Sequence, residues 1–207
     1  VLDTPAGGVN HLSSLMNSID QIIFIFDMSN NIAINASIDA LHSFIDYYED
    51  FYQNYQQGKL SGLDKAYVNR MIASKGEAAV TEILANKKFG IIFNRCQQSR
   101  EIANGLDQLR EYLDTLDQYE KYKDRIHTVG MVPHHKIINI TNNHGTLFYD
   151  KDRGLSNCIN MVAENIINEN KFCPTLSNSN DEIIQFLQKN GKGGLLGNIK
   201  RIASSLG

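Results

Sequence analysis

Three short apolar runs, rich in β-branched and aromatic residues, constrain the fold of this chain most strongly. They are "QIIFIFD" at 21–27, "FGIIFN" at 89–94 and "IHTVGMV" at 126–132. A nearly continuous apolar run between polar segments is typical of a strand that is covered on both faces. Pro133 ends the third run, because proline cannot donate a hydrogen bond to a strand ladder. We therefore predict three buried strands here, and "VLD" at 1–3 resembles the last part of a fourth.

Stretches of helical periodicity separate these runs. In 28–53 the apolar stripe consists of Ile34, Ile38, Leu41 and Ile45. In 101–122 it consists of Leu106, Leu109, Leu113 and Leu116, and 155–170 also has helical spacing. We interpret 54–88, with its glycine breaks and helical composition, as helical hairpins or an insertion. Strands that alternate with helices predict an α/β fold with a mostly parallel sheet flanked by helices.

In a parallel sheet, ligands bind beside the carboxyl ends of the strands. The segments that follow the predicted strands are polar or rich in glycine: "DTPAGG" at 3–8, "DMSNN" at 27–31, "NRCQQS" at 94–99 and "PHHKIIN" at 133–139. We therefore predict a ligand site at this edge of the sheet.

The first of these segments suggests a specific ligand. Asp3 follows an apolar strand end, where a carboxylate can hold Mg²⁺ through water beside the phosphates of a nucleotide. The glycines of "PAGG" allow backbone N–H groups to approach a γ-phosphate. An ordinary strand-to-helix turn has the same composition, so spacing alone leaves both interpretations open.

Four segments resemble, in order, the MinD/ParA family of deviant Walker A P-loop ATPases. "VLDTPAG" resembles the family's Walker B and switch II segment, and "SIDQIIFIFDMSNNIAINASIDALHSFI" resembles its next strand and helix. "FGIIFNR" resembles the strand that ends in a base-reading Asn-Arg or Thr-Arg, and "HTVGMVPHH" resembles the strand that ends beside the adenine. The resemblance covers residues 1–170 and implies an α/β domain of the P-loop NTPase type, incomplete at its N-terminus.

The resemblance also implies site residues, cofactors and partners. Asp3 would hold Mg²⁺ through water, and Gly7 would belong to the switch that senses the γ-phosphate. Asn94 would bond the adenine edge, and both donor and acceptor atoms are present in its amide. Arg95 and Pro133 would line the base pocket. The implied cofactors are ATP and Mg²⁺, and the implied partners are a second copy in an ATP-dependent dimer and an activator or cargo protein.

The family's phosphate loop, K-G-G-x-G-K-(S/T), does not occur in the 207 residues, and the switch I aspartate is also missing. We interpret the chain as a fragment or processed piece of a full ATPase. As written, it holds no catalytic residue, and we expect it to bind ATP poorly and to hydrolyse it negligibly. The glycine-rich "NGKGGLLGN" is not a phosphate loop, because a helical pattern precedes it and Gly197 is followed by Asn198.

The C-terminal segment 195–207 has the pattern of an amphipathic helix. Its apolar stripe consists of Leu195, Leu196, Ile199, Ile202 and Leu206, and its basic residues are Lys200 and Arg201. Basic residues beside an apolar stripe are typical of a helix in the interface of an anionic membrane. In position and character the segment resembles the membrane-targeting helix of MinD. The alternative is a helix docked on its own domain. We interpret 171–194 as a linker and a helix, with the polar linker at 173–182.

The net charge and the cysteines of the chain indicate its compartment and its class of partner. The net charge of −3 argues against a nucleic-acid binder held by charge alone, so a nucleic-acid partner is less expected. The cysteines Cys96, Cys158 and Cys173 are far apart and form no CxxC pair, which favours a reducing cytosol. No apolar run approaches the ~20 residues of a membrane span. We expect a cytoplasmic protein that binds the inner face of a membrane peripherally.

Three functions remain open from the sequence. The first is a MinD-type membrane-cycling ATPase in the spatial regulation of cell division or polar machinery. The second is a ParA-type partition ATPase that moves DNA cargo and would need a basic surface instead of a membrane helix. The third is a binding module that lacks the P-loop and is not an enzyme.

Overall fold

The computed structural model describes residues 21–135, 152–168 and 173–190. The sheet of this part of the chain has three parallel strands in the order β1 (Ile22–Asp27), β2 (Phe89–Cys96) and β3 (Ile126–Pro133). Helices flank this sheet, so the predicted α/β fold with a parallel sheet is confirmed.

Each face of the sheet has its own core. Alternate residues of the strands point to opposite faces. One face carries the larger core, which includes Phe26, Phe89, Ile91 and Phe93. The other face carries a smaller core of Ile92, Val129, Met161 and Val162. Because both faces are covered, the central strand β2 is a continuous apolar run, as its sequence predicted.

Helix α1 (Asn31–Gln56) packs on the larger core, and all four residues of its predicted stripe are buried. The helix begins after Asn30, whose side-chain oxygen accepts a hydrogen bond from the N–H of Ala33 at 2.9 Å. Helices α2 (Gly62–Lys75) and α3 (Glu77–Ala85) follow, and Gly76, with φ of 85°, joins them. The helical composition of 54–88 is thus realised as α2 and α3 beside the end of α1.

Helix α4 (Ser99–Thr115) is shorter than its pattern predicted. We expected one helix over 101–122 with Leu116 in its stripe, and this was wrong: Leu116 is 40% exposed, and α5 (Tyr119–Tyr122) is a separate short helix. Asp117 adopts a left-handed conformation with φ of 55°. The N–H groups of Asp117 and Gln118 then bond the carbonyls of Asp114 and Leu113, which ends the helix in a Schellman motif.

Helix α6 (Arg153–Ile167) covers the second face of the sheet, where a helix over 155–170 was predicted. Asp152 caps it by accepting a hydrogen bond from the N–H of Leu155 at 2.9 Å. The side chain of Asn165 donates to the carbonyl of Val129 at 2.6 Å. The absence of a side chain at Gly130 lets the strand approach the helix closely, since a Cβ there would lie 2.4 Å from Cγ2 of Val162.

The segment before helix α7 (Asn180–Asn190) is packed where we expected a polar linker. The N–H of Thr128 donates to the carbonyl of Pro174 at 2.8 Å, and the N–H of Leu176 donates to that of Ile126 at 3.1 Å. Leu176 is fully buried, and Arg110 donates to the carbonyls of Leu176 and Asn178 at 3.2 and 2.8 Å. These bonds to β3 and α4 fix residues 174–178 on the domain.

Candidate functional site

The carboxyl ends of the three strands bring the predicted base-pocket residues to one edge. In the strand register, Asp27 lies beside Asn94, Asn94 lies beside Val132, and Cys96 lies beside Pro133. Asn94, Arg95 and Pro133 therefore share the carboxyl edge of β2 and β3. Asp3 and Gly7, the residues predicted for Mg²⁺ and the γ-phosphate, lie outside the described residues.

The backbone turn at the end of β2 fixes the amide of Asn94. The side-chain Oδ1 of Asn94 accepts a hydrogen bond from the N–H of Arg95 at 2.9 Å. The main-chain carbonyl of Asn94 accepts one from the N–H of Met28 at 2.9 Å. An N–H donor requires an acceptor, so the oxygen of the Asn94 amide must face the backbone. The NH₂ group is consequently turned away from that N–H and can donate to a ligand.

Arg95 leaves the strand in a left-handed conformation, with φ of 61°, and its guanidinium reaches across to β1. Its Nη1 lies 3.2 Å from Oδ2 of Asp27, whose Oδ1 accepts a hydrogen bond from the N–H of Ser29 at 3.0 Å. The Arg95 side chain is 58% exposed. Exposed ion pairs of this kind contribute about 0–1 kcal/mol, so the guanidinium is held only weakly.

Asp27 was not among the predicted site residues. The signal for it was the polar segment 27–31 directly after the first complete strand, but the Asp27–Arg95 pair joins residues that are 68 positions apart. Further along the edge, Pro133 is buried and the N–H of His134 donates to the carbonyl of Cys96 at 2.9 Å. His134 itself is exposed.

A small cleft opens beside this edge, between the first turn of α4 and the last turn of α7. It has room for little more than a water molecule. Apolar side chains form its floor, and side-chain amides and a hydroxyl stand around it. The described residues that line it are all uncharged: Cys96, Gln97, Gln98, Ser99, Ile102, Met131, Ile184, Leu187 and Gln188.

The side chain of Glu101, in the first turn of α4, bonds back to the two residues that precede the helix. The Oε2 of Glu101 accepts hydrogen bonds from the N–H groups of Gln97 and Gln98 at 2.6 and 3.2 Å. The N–H groups of Gln97 and Gln98, just before α4, therefore already have an acceptor. The negative charge of Glu101 further disfavours a phosphate at this position.

The thiol beside the cleft is not a reactive group. Burial, together with the nearby negative charges of Glu101 and Asp27, raises the pKa of Cys96 to about 12. The thiolate form is the nucleophile and the metal ligand, and it is scarcely populated at neutral pH. Across the described residues, no three His, Cys, Asp or Glu side chains are grouped so that they can hold a metal ion. The polar groups described at this edge are thus side-chain amides, a hydroxyl and the Asp27–Arg95 pair.

The residues predicted to bind a membrane lie in 195–207, outside the described residues. None of the helices that the structure describes is long and apolar enough to cross a bilayer. Comparisons with protein-family models, with curated proteins and with solved structures found no match to this chain.

Proposed function

We propose that this chain is part of a nucleotide-binding ATPase of the MinD/ParA type, and that it functions as a MinD-type protein that cycles on and off a membrane. One observation supports this proposal most: Asn94, Arg95 and Pro133 lie together at the carboxyl edge of a parallel sheet. The resemblance gives base-binding roles to these three positions. A parallel α/β sheet is also the architecture in which ligands bind at that edge.

The chemistry of this edge suits a nucleobase. The NH₂ group of Asn94 donates to a ring nitrogen, and a guanidinium such as that of Arg95 stacks on a planar ring. The weak pairing of Arg95 with Asp27 leaves the guanidinium free to reorient onto a bound base.

The remaining parts of the proposal come from the sequence. Asp3 would hold Mg²⁺ through water in the full-length protein, and Gly7 would sense the γ-phosphate of ATP. ATP would bring two copies together, and two C-terminal helices would then bind a membrane far more strongly than one, since the second insertion is intramolecular. Hydrolysis would reverse this, and an activator or cargo protein would be the partner.

Nucleotide binding is tested by titrating the chain with AMP and following backbone amide signals by NMR. We expect binding in the millimolar range, with shifts at Asn94 and Arg95. Asn94→Ala should weaken it about two- to tenfold, which is the value of one hydrogen bond. Asn35→Ala, at an exposed position of α1, is the matched control and should change nothing. Equal affinity of the Asn94→Ala variant and the unmodified chain would contradict the base-binding role.

Membrane binding is tested by co-sedimentation with vesicles that contain anionic lipid. Ile202→Glu should abolish it, because a charge would replace an apolar residue of the inserted stripe. Ile32→Glu is the matched control, since Ile32 is 83% exposed at the start of α1. Unchanged binding of the Ile202→Glu variant would refute the tail as the anchor. Binding to DNA without binding to lipid would favour the ParA-type function, and binding to neither AMP nor lipid would favour a non-enzymatic module.

A further inference from the structure

Asp27 and Asn94 lie side by side on one face of the sheet. They are partners in the strand register, and paired residues of neighbouring parallel strands point to the same face. Asn94 follows Ile92 by two residues, so this is the face of the smaller core. Neighbouring strands lie about 4.8 Å apart, so a ligand that contacts the amide of Asn94 is also within reach of the carboxylate of Asp27.

Hydrogen bonds from the surrounding backbone fix the position of Asp27. The N–H of Asp27 donates to Oγ of Ser37 in α1 at 3.2 Å, and its Oδ1 accepts from the N–H of Ser29 at 3.0 Å. The N–H of Met28, the next residue, donates to the main-chain carbonyl of Asn94 at 2.9 Å. These bonds join the end of β1 to α1 and to β2, so the carboxylate and the amide keep their relative position before a ligand binds.

The carboxylate of Asp27 can accept further hydrogen bonds. A carboxylate offers about four acceptor positions, and among the described residues Ser29 and Arg95 use two of them. The side chain of Asp27 is 35% exposed, so a ligand can approach it. Under the proposed function the guanidinium of Arg95 moves onto the base, and this movement also releases Oδ2 of Asp27.

An apolar surface adjoins this pair. Ile25 precedes Asp27 by two residues, lies on the same face and is 63% exposed. The register partner of Ile25 is Ile92, which belongs to the smaller core. The exposed side chain of Ile25 offers a planar ring an apolar contact beside a carboxylate and an amide. Apolar contact with a few oriented polar groups is typical of small-molecule sites.

We propose that Asp27 accepts a hydrogen bond from the exocyclic amino group of the bound base, beside the ring nitrogen that Asn94 contacts. This inference rests on the proposed nucleotide-binding function. Adenine presents such an amino donor next to a ring-nitrogen acceptor. The NH₂ group of Asn94 donates to the ring nitrogen, and the carboxylate of Asp27 accepts from the amine. The two side chains together therefore favour a base that carries an amine.

The test compares adenosine with purine riboside, which differs from adenosine only by lacking the amine. In NMR titrations the unmodified chain should bind adenosine about two- to tenfold more tightly, and Asp27→Ala should abolish this preference. Arg95→Gly breaks the same ion pair, and glycine tolerates the left-handed conformation of this residue. Adenosine should bind this variant more weakly while the preference remains. Asp50→Ala, at an exposed position of α1, is the matched control and should change neither affinity.

The amide signal of Ser29 gives a second measurement that needs no substitution. Its N–H donates to the carboxylate of Asp27, so a new hydrogen bond to that carboxylate changes its surroundings. In the unmodified chain this signal should shift with adenosine and much less with purine riboside. Equal shifts with the two nucleosides would contradict a contact between Asp27 and the amine.

The outcomes separate this inference from the proposed function. If Asn94→Ala weakens adenosine binding while Asp27→Ala keeps the preference, the base is bound without Asp27 and only this inference fails. Equal affinity of the unmodified chain for the two nucleosides has the same meaning. If Arg95→Gly abolishes the preference as fully as Asp27→Ala does, Asp27 acts only by holding Arg95, which also overturns the inference. If neither nucleoside shifts any signal at millimolar concentration, the inference and the proposed function fail together.

Discussion

Gly130 is the point at which β3 approaches α6 most closely, and a methyl group there tests that contact. A Cβ at Gly130 would lie 2.4 Å from Cγ2 of Val162 and 3.2 Å from Cε of Met161. The first distance is too short for two carbon atoms, so the Val162 side chain or α6 itself must move. Overpacking of this kind destabilises the folded state by about 1–3 kcal/mol. Alanine also restricts the unfolded chain more than glycine does, which offsets about 0.4–1 kcal/mol of that cost. We expect Gly130→Ala to lower the free energy of unfolding by about 1–2 kcal/mol.

A second substitution identifies the cause. Val162→Ala removes the clashing methyl group, and on its own it costs about 2 kcal/mol because about two buried carbons are lost. In the double variant the new methyl of Ala occupies part of that space. We therefore expect the double variant to be more stable than additivity predicts, by at least about 1 kcal/mol. Urea unfolding followed by circular dichroism measures all four stabilities.

Gly105→Ala is the control for a glycine that tolerates a methyl group. A Cβ there would lie 2.7 Å from Cε of Met28, the flexible end of an unbranched side chain. Alanine also favours the interior of α4 by up to about 1 kcal/mol. We expect this variant to be within about 1 kcal/mol of the unmodified chain. Full stability of Gly130→Ala, or strict additivity with Val162→Ala, would refute the close approach of β3 and α6.

Three further predictions follow from the described contacts. Arg110→Ala should destabilise the protein by about 1–3 kcal/mol in urea unfolding and speed amide exchange in 174–178, because two partly buried carbonyls lose a charged donor. Burial raises the pKa of Glu49, but hydrogen bonds from Lys121 and Tyr122 outweigh it and lower the pKa below its usual 4.5. The stability that Glu49 adds is thus present above pH 4.5 and lost as the pH falls further, so the difference between the unmodified chain and Glu49→Gln in urea midpoint should shrink in that range. Adenosine, AMP and ATP should bind this chain within about fivefold of each other in NMR titrations, since an exposed guanidinium adds only about 0–1 kcal/mol; a steep gain with each phosphate would contradict this.

The strands and the long first helix were predictable because burial acts on them through a local pattern. A strand covered on both faces requires an apolar residue at almost every position, and β2 is such a run. The stripe of α1 is equally local, since Ile34, Ile38 and Leu41 meet the same core. The end of α4 was not predictable from spacing, because the left-handed residue that ends it is an aspartate rather than the glycine that usually marks such a turn.

The packed segment before α7 shows a second limit of sequence patterns. Its serine and asparagine residues suggest solvent exposure, but they bond one another and the backbone: Oδ1 of Asn178 accepts from the N–H of Thr175 at 2.9 Å. A single apolar residue, Leu176, inserts into the core. Composition cannot show this, since the partners that hold the segment, Arg110 and Ile126, are distant in sequence.

The candidate site was also predictable only in part. Parallel strands end at one edge, so the proximity of Asn94, Arg95 and Pro133 followed from the strand order alone. The side-chain pairs that shape the edge did not follow, because the Gln188–Ser99 bond joins residues that are 89 positions apart. Such pairs depend on how two helices pack, and helix packing is not encoded in the spacing of either one.

A site of the proposed kind has two tasks, which are to bind the base and to bind the phosphates, and the described edge carries groups suited to the first. Under the proposed function, a base would need flat apolar contact and oriented uncharged donors, and the amide of Asn94 would be one such donor. A triphosphate needs several fixed cations and backbone N–H groups. Here Arg95 is paired with Asp27, and the N–H groups of Gln97 and Gln98, just before α4, donate to Glu101. Under the proposed function, the phosphates would therefore need cations and N–H groups other than these, as the interpretation of "VLDTPAGG" predicts.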